Sequence, residues 1–347
     1  MKIILSIDGG GIRGIIPAFI LNYLENKIRE IIDDKRIKIG NLIDLVAGTS
    51  TGSIVGALML IPNKEGNSPK YSMEEIIDMY INMGPYVFKK DTLYSIKTLW
   101  GLLGPKFPSS NIEDPLIQIM DHYKLKDLIQ PCAFTGYDIY KRRINIYTNR
   151  DKDRKYEEYY VKDVIRGSTS IPAFFRPAYF KEGSDINTII DGGVFANNPA
   201  MVAYIEASKT LFNNKNGKNI NPHEMILISL GTGLGERTKY PYEKTKRWGA
   251  AQWFSPILNI LLSGSSDIVD YEMRKLFYAY GRLDNYKRIN PPLVYSKASP
   301  TDASLENITN LIKDANSYIE QNKEILNLLA REICDIKYLK NYSEDVK

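Results

Sequence analysis

The sequence predicts an α/β fold, a largely parallel central sheet flanked by helices, and three observations lead there. Short β-rich apolar runs at Ile3 to Ile7 and at Leu42 to Ala47 each stop at a glycine cluster. Each run is followed by a segment with helical spacing, so strand, glycine turn and helix occur twice in succession. A further strand-like run, Met225 to Leu230, closes on Gly231-Thr232-Gly233.

The elements follow in order. Ile16, Phe19, Ile20, Tyr23, Leu24 and Ile28 share one face of a helix over Ile15 to Ile32. Leu42 to Ala47 is a second strand, and Ile54 to Ile61 a short buried helix beyond the turn Gly48-Thr49-Ser50-Thr51-Gly52. Met73 to Met83 reads as an amphipathic helix. Tyr86 to Asn111 is looser, interrupted by Gly101, Gly104, Pro105 and Pro108. Cys132 to Tyr137 and Arg143 to Thr148 read as two strands joined at Lys141-Arg142. Val161 to Ser168 is a short helix, Thr188 to Ile190 a strand ending on Asp191-Gly192-Gly193, and Met201 to Phe212 a helix. Leu305 to Lys340, rich in Leu, Ile, Lys and Glu, forms one or two C-terminal helices. There is no solenoid-like repeat and no low-complexity linker; Asn213 to Asn221 is the best surface-loop candidate. One domain over 1–347 is expected.

Composition excludes several classes. Of 347 residues, 44% are hydrophobic and 25% charged, which suits a globular chain rather than a disordered one. Lys and Arg exceed Asp and Glu by 46 to 41, a net +5. That excess favours an anionic membrane surface but is too small to point to nucleic acid. For the charge alone, a solvated and slightly basic surface is the commoner meaning; two distant cysteines, Cys132 and Cys334, suggest a reducing compartment, hence a cytoplasmic protein, with peripheral membrane contact left open. The N-terminal apolar run is too short for a leader and reads as the first strand.

Three glycine-marked turns carry the chemistry, and if the sheet is parallel they share the crevice at its carboxyl ends. The first is Asp8-Gly9-Gly10-Gly11-Ile12-Arg13-Gly14. Consecutive glycines opening a helix leave backbone N–H groups uncovered at the positive end of a helix dipole, a place for anionic oxygen. Gly9, Gly11 and Gly14 also spell a dinucleotide fingerprint, but the second strand ends in Gly48-Thr49-Ser50 rather than in a ribose-binding acid. The second turn, Gly48-Thr49-Ser50-Thr51-Gly52, has the nucleophile-elbow pattern, with glycines two residues either side of an exposed serine. The third, Asp191-Gly192-Gly193, gains meaning because a serine nucleophile needs a base within reach.

These three motifs, in this order, resemble the patatin-like phospholipases, a family of lipid acyl hydrolases. The likeness extends to Ile189 to Pro199, to Ser229 to Gly233 and to Trp248-Gly249. It implies a patatin-like three-layer fold whose catalytic core spans 5–201, with a further strand and helices in 202–347. It also implies a Ser–Asp dyad. Ser50 would attack an ester carbonyl, Asp191 would take its proton, and an oxyanion hole would form from Gly10 and Gly11, with Arg13 adding charge or merely opening the helix. Gly9, Gly14, Gly48, Gly52, Gly192 and Gly193 would shape the loops. Membrane glycerolipids are the implied substrates, met at a membrane surface, with no cofactor and no metal. The alternatives are a thioesterase or transacylase, a storage or lipid-binding protein keeping the fold, and an effector gated by a nucleotide or protein partner.

Two further expectations concern what stays out of the site. His122 and His223 are expected to take no part, His223 because it precedes the Met225 strand at its amino end. The pH profile should then lack an imidazole ionisation near pH 6.5. The stretch Tyr94 to Phe107, with Leu99, Trp100, Leu102, Leu103 and Phe107 between Lys97 and Lys106, suits either a membrane interface or a lid packed on the core, the lid being the commoner fate of such residues.

Overall fold

The computed structural model describes residues 1–99, 103–150, 156–183, 185–210 and 222–339. Among these, eight strands form one sheet: β1 (Lys2–Ile7), β2 (Leu45–Gly48), β3 (Cys132–Asp138), β4 (Arg143–Thr148), β5 (Ala178–Glu182), β6 (Asp185–Asp191), β7 (Met225–Leu230) and β8 (Tyr286–Ile289). The helices are α1 (Ile15–Ile32), α2 (Thr51–Leu60), α3 (Met73–Val87), α4 (Thr92–Lys97), α5 (Ser110–Met120), α6 (Val161–Ser168), α7 (Gly193–Ala196), α8 (Ala200–Thr210), α9 (Tyr242–Thr245), α10 (Ala250–Ala279), α11 (Leu305–Gln321) and α12 (Lys323–Cys334). None of them is long and apolar enough to cross a membrane.

The sheet runs β5-β6-β3-β2-β1-β7-β8, with β4 on the other edge of β3. β1 lies at its centre because every residue from Ile3 to Ile7 is buried. The two-residue period of a strand divides these side chains between the faces. Ile3, Leu5 and Ile7 join the core built with α1, α2 and α3, whereas Ile4 joins Leu45, Ala203, Met273 and Phe277 beneath α8 and α10. Two cores on one sheet make three layers. Each fully buried Ile or Leu contributes roughly 1.5–3 kcal/mol, so β1 fastens both layers at once.

Pairing is parallel for β3-β2-β1-β7-β8 and antiparallel for β4, β5 and β6. The register of β3 has a geometric consequence. Its one edge is taken by β4 from Ala133 to Asp138. Its other edge carries β2 over Cys132 to Phe134 and then β6 over Gly136 to Asp138. β2 and β6 therefore run toward each other along the same edge of β3. Their carboxyl ends, Gly48 and Asp191, meet about Thr135. The crevice expected at the ends of parallel strands is thus made differently, by two opposed strands that stop head to head.

Other elements depart from the expectation in instructive ways. α2 begins at Thr51, directly after the turn, and α3 continues through Pro85 to Val87. β5, β8, α5 and α10 are additions. α10 contains Pro256 and Gly264, which weaken a helix locally, yet Val269, Met273 and Phe277 on one face are buried. Tertiary burial outweighs those local costs. Trp100, Leu102, Phe212, Lys340 and the Asn213 to Asn221 loop lie outside the described residues.

Candidate active site

Ser50 sits at the join of β2 and α2 with φ 53° and ψ −122°, a conformation that non-glycine residues rarely hold. Such a backbone costs on the order of 1–3 kcal/mol and persists only where neighbours over-determine it. Here they do. The Ser50 N–H donates to Ser168 Oγ at 3.0 Å, and Ser168 and Ser53 hydroxyls lie 2.7 Å apart. Ser53 in turn donates to the Gly48 carbonyl at 2.9 Å, so Ser168 must be the donor to Ser53. Every polar atom in this relay has a partner. Gly52 is forced by close approach: a Cβ there would stand 2.1 Å from the Ile7 carbonyl oxygen, which pins α2 against β1.

Asp191, at the opposing strand end, is buried. Its N–H donates to the Ser170 carbonyl at 3.0 Å, and its Oδ1 accepts the Gly193 N–H at 2.7 Å. Oδ2 has no partner of good hydrogen-bond geometry. Burial pushes the Asp191 pKa up from 3.8 to about 7, against the opposing pull of the Ser50 hydroxyl and the Gly193 N–H. The Ser50 hydroxyl is close enough to lower the carboxyl pKa, yet no hydrogen bond joins it to Oδ2. An ionisation near neutrality at this position thus belongs to a carboxyl group and not to an imidazole. Neither histidine comes near. His122 stacks on Tyr123 beyond α5, and His223 accepts from Arg282 at the amino end of β7.

The glycine loop closes over the pair. A Cβ on Gly9 would lie 3.3 Å from Ser50 Cβ, and the Gly9 N–H is tied to the Asn197 carbonyl at 2.9 Å. Gly11 has φ +60°, and a Cβ there would strike the Pro300 carbonyl oxygen at 2.1 Å. Thr232, from the turn after β7, donates to the Gly9 carbonyl at 2.8 Å and packs against Gly10. The N–H groups of Gly10 and Gly11 find no acceptor among the described residues. The guanidinium of Arg13 spends its donors on carbonyls, those of Gly10 at 3.4 Å and Gly233 at 3.3 Å, clamping two loops together. Burial lowers it only to about 10, so it stays charged at neutral pH.

Sequence reasoning missed the anchor of this loop. Arg288 on β8 grips Asp8 with two hydrogen bonds, 2.9 and 2.6 Å, and also donates to Ser229 at 2.9 Å. Burial works against the Arg288 charge, but the Asp8 carboxylate outweighs it and lifts the guanidinium above its ordinary value. The only signal was Asp8 itself at the head of the loop, for its partner lies 280 residues away. Removing one member of a buried pair strands the other, at a cost of about 3–5 kcal/mol. Arg288→Met should lower unfolding stability by that amount, as read from the denaturant midpoint.

An apolar cavity begins at Ser50 and Gly11 and runs between α2, α3 and α5, past Ile54, Leu58, Met79, Met83, Leu116 and Ile119. No group of His, Cys, Asp or Glu suited to a metal ion occurs among the described residues.

A three-layer α/β fold with glycine-marked turns at its strand ends is the class of molecule the structure shows, and comparison with known proteins gives the family. The patatin-like phospholipase pattern matches residues 5–204. Patatin-like protein 4 of Arabidopsis thaliana is 30% identical over 94% of this chain and 85% of its own length. Patatin-like protein 2 of Oryza sativa subsp. indica is 30% identical over 97% of this chain and 88% of its own. Among solved structures, VipD from Legionella pneumophila aligns over 91% of this chain and 67% of that one, at 13% identity and a TM-score of 0.35. The chain belongs to the patatin-like phospholipase family of lipid acyl hydrolases.

Proposed function

We propose that this protein cleaves fatty-acyl esters of membrane glycerolipids by a Ser50–Asp191 dyad without a metal ion. The observation that carries the reading is that Ser50 and Gly11 open onto one apolar cavity while Asp191 stands behind the serine. An acyl chain laid in that cavity brings its ester carbonyl to the hydroxyl. Ser50 Oγ attacks the carbonyl carbon and its proton passes to Asp191, whose Oδ2 has a free lone pair. The N–H groups of Gly10 and Gly11 receive the oxyanion, the role that preorganised donors fill most effectively in a water-poor site. Collapse expels the alcohol with the proton from Asp191. Water then attacks the acyl-enzyme, giving up its proton to Asp191; collapse returns that proton to Ser50 Oγ as the C–O bond to serine breaks and the fatty acid leaves.

A base poised near neutrality suits this work better than an ordinary carboxylate, because proton transfer is most efficient when the base pKa lies near the working pH. The expected pH profile rises through about pH 7, as Asp191 loses its proton. The test is incubation with mixed glycerolipids and mass spectrometry of the products. Free fatty acid and lyso-lipid should accumulate, unaffected by chelator and by the double substitution His122→Gln with His223→Gln. Absence of acyl products, or a requirement for calcium, would overturn the reading.

A further inference from the structure

α3 delivers Val87 and Phe88 to the wall of the apolar cavity, and the chain then turns outward. The next eighteen residues carry Lys89, Lys90, Lys97 and Lys106 against a single acid, Asp91. Asp91 is occupied as the cap of α4, accepting the Tyr94 N–H at 2.7 Å. None of the four lysines forms an ion pair among the described residues. Beside them stand Leu93, Ile96, Leu99 and Leu103, exposed at 81%, 54%, 44% and 78%. No residue of α4 is buried. Four exposed aliphatic side chains beside lysines that form no ion pair are the composition of an interface rather than of a lid.

The face is joined to the cavity through one aromatic wall. Lys106 lies over Phe107 and Phe174, with its Nζ 5.8 and 5.2 Å from the ring centres. Phe107 packs on Phe88 and Phe175, at 5.7 and 5.6 Å between ring centres, and both of these line the cavity. Burial lowers the Lys106 pKa, and the charge of Lys90 adds to the effect. A second copy of this chain is a poor occupant, since a self-paired face would set these lysines against each other.

We propose that the described residues 89–99 and 103–106 form the surface by which the protein sits on an anionic phospholipid bilayer. Leu93, Ile96, Leu99 and Leu103 enter the acyl region, and Lys89, Lys90 and Lys97 meet the headgroup phosphates. This deepens the acyl-hydrolase reading and rests on it for the link between bilayer and cavity. A lipid drawn from that bilayer meets the cavity across the wall of Phe88 and Phe175.

The test uses full-length Ser50→Ala protein, which leaves vesicles intact, in cosedimentation with phosphatidylcholine vesicles with and without phosphatidylglycerol. Binding should be stronger on the anionic vesicles and should weaken as salt rises. Leu93→Ser combined with Leu103→Ser should reduce partitioning by at least about tenfold, and Lys90→Glu should reduce it on anionic vesicles alone. In the Ser50 background the same substitutions should leave turnover of a soluble short-chain ester unchanged. Undiminished vesicle binding by the variants overturns the proposal. So does an equal loss of soluble-ester turnover, which would make the face a structural wall, and so does a shift from dimer to monomer with vesicle binding intact. A protein that docks through this face yet releases no fatty acid would refute the hydrolase reading and leave the surface standing.

Discussion

Asp191→Asn is expected to be nearly inactive and, above neutral pH, more stable than the parent protein. The carboxyl pKa is raised from 3.8 to about 7 by burial. Between those values the folded state keeps a proton that the unfolded state has lost. The stability this group contributes is therefore fully present below about pH 4 and is lost as pH rises through 7. An amide has no charge to desolvate. At pH 8 the variant should gain up to roughly 4 kcal/mol, three pKa units at about 1.36 kcal/mol each, and at pH 4 the two should coincide. Turnover should fall by about 10²–10⁴, the usual worth of a positioned general base. Denaturant titrations at the two pH values, with ester turnover alongside, read both effects. Equal stability at both would mean that Asp191 is not held as a costly buried acid.

The second large effect concerns Ser50. Ser50→Ala should fold and lose all detectable acyl-ester turnover. Ser50→Gly should be equally inactive but about 1 kcal/mol more stable than Ser50→Ala, because glycine accepts positive φ without the strain alanine retains. The order of the two unfolding midpoints tests the backbone argument separately from the chemistry.

Much of this architecture is legible in the string. β1 and the glycine loop, β2 and the elbow, α1 and the two C-terminal helices all announce themselves by period and punctuation. What stayed hidden has physical reasons. A hydrophobic run carries no direction, so nothing in Thr188 to Ile190 revealed that β6 runs antiparallel and meets β2 end to end. β8 is four residues long with Lys287 and Arg288 at its centre, which reads as polar loop, and so the anchor of Asp8 went unseen. Pro256 and Gly264 disguised α10. The pKa of Asp191 follows from how deeply the fold buries it, a property of the packed molecule. The candidate residues stand in motifs that local spacing makes visible; their supports, Ser168, Thr135, Asn197 and Arg288, lie on elements that only the fold brings together.

The central claim is that Ser50 is an activated nucleophile served by Asp191. Labelling with a serine-directed fluorophosphonate, followed by peptide mapping of the adduct, addresses it most directly. One adduct should form on the peptide containing Ser50, faster above pH 7 than below it, slowed in Asp191→Asn and absent in Ser50→Ala. Labelling that persists undiminished in folded Ser50→Ala, or that maps to another serine, would contradict the account.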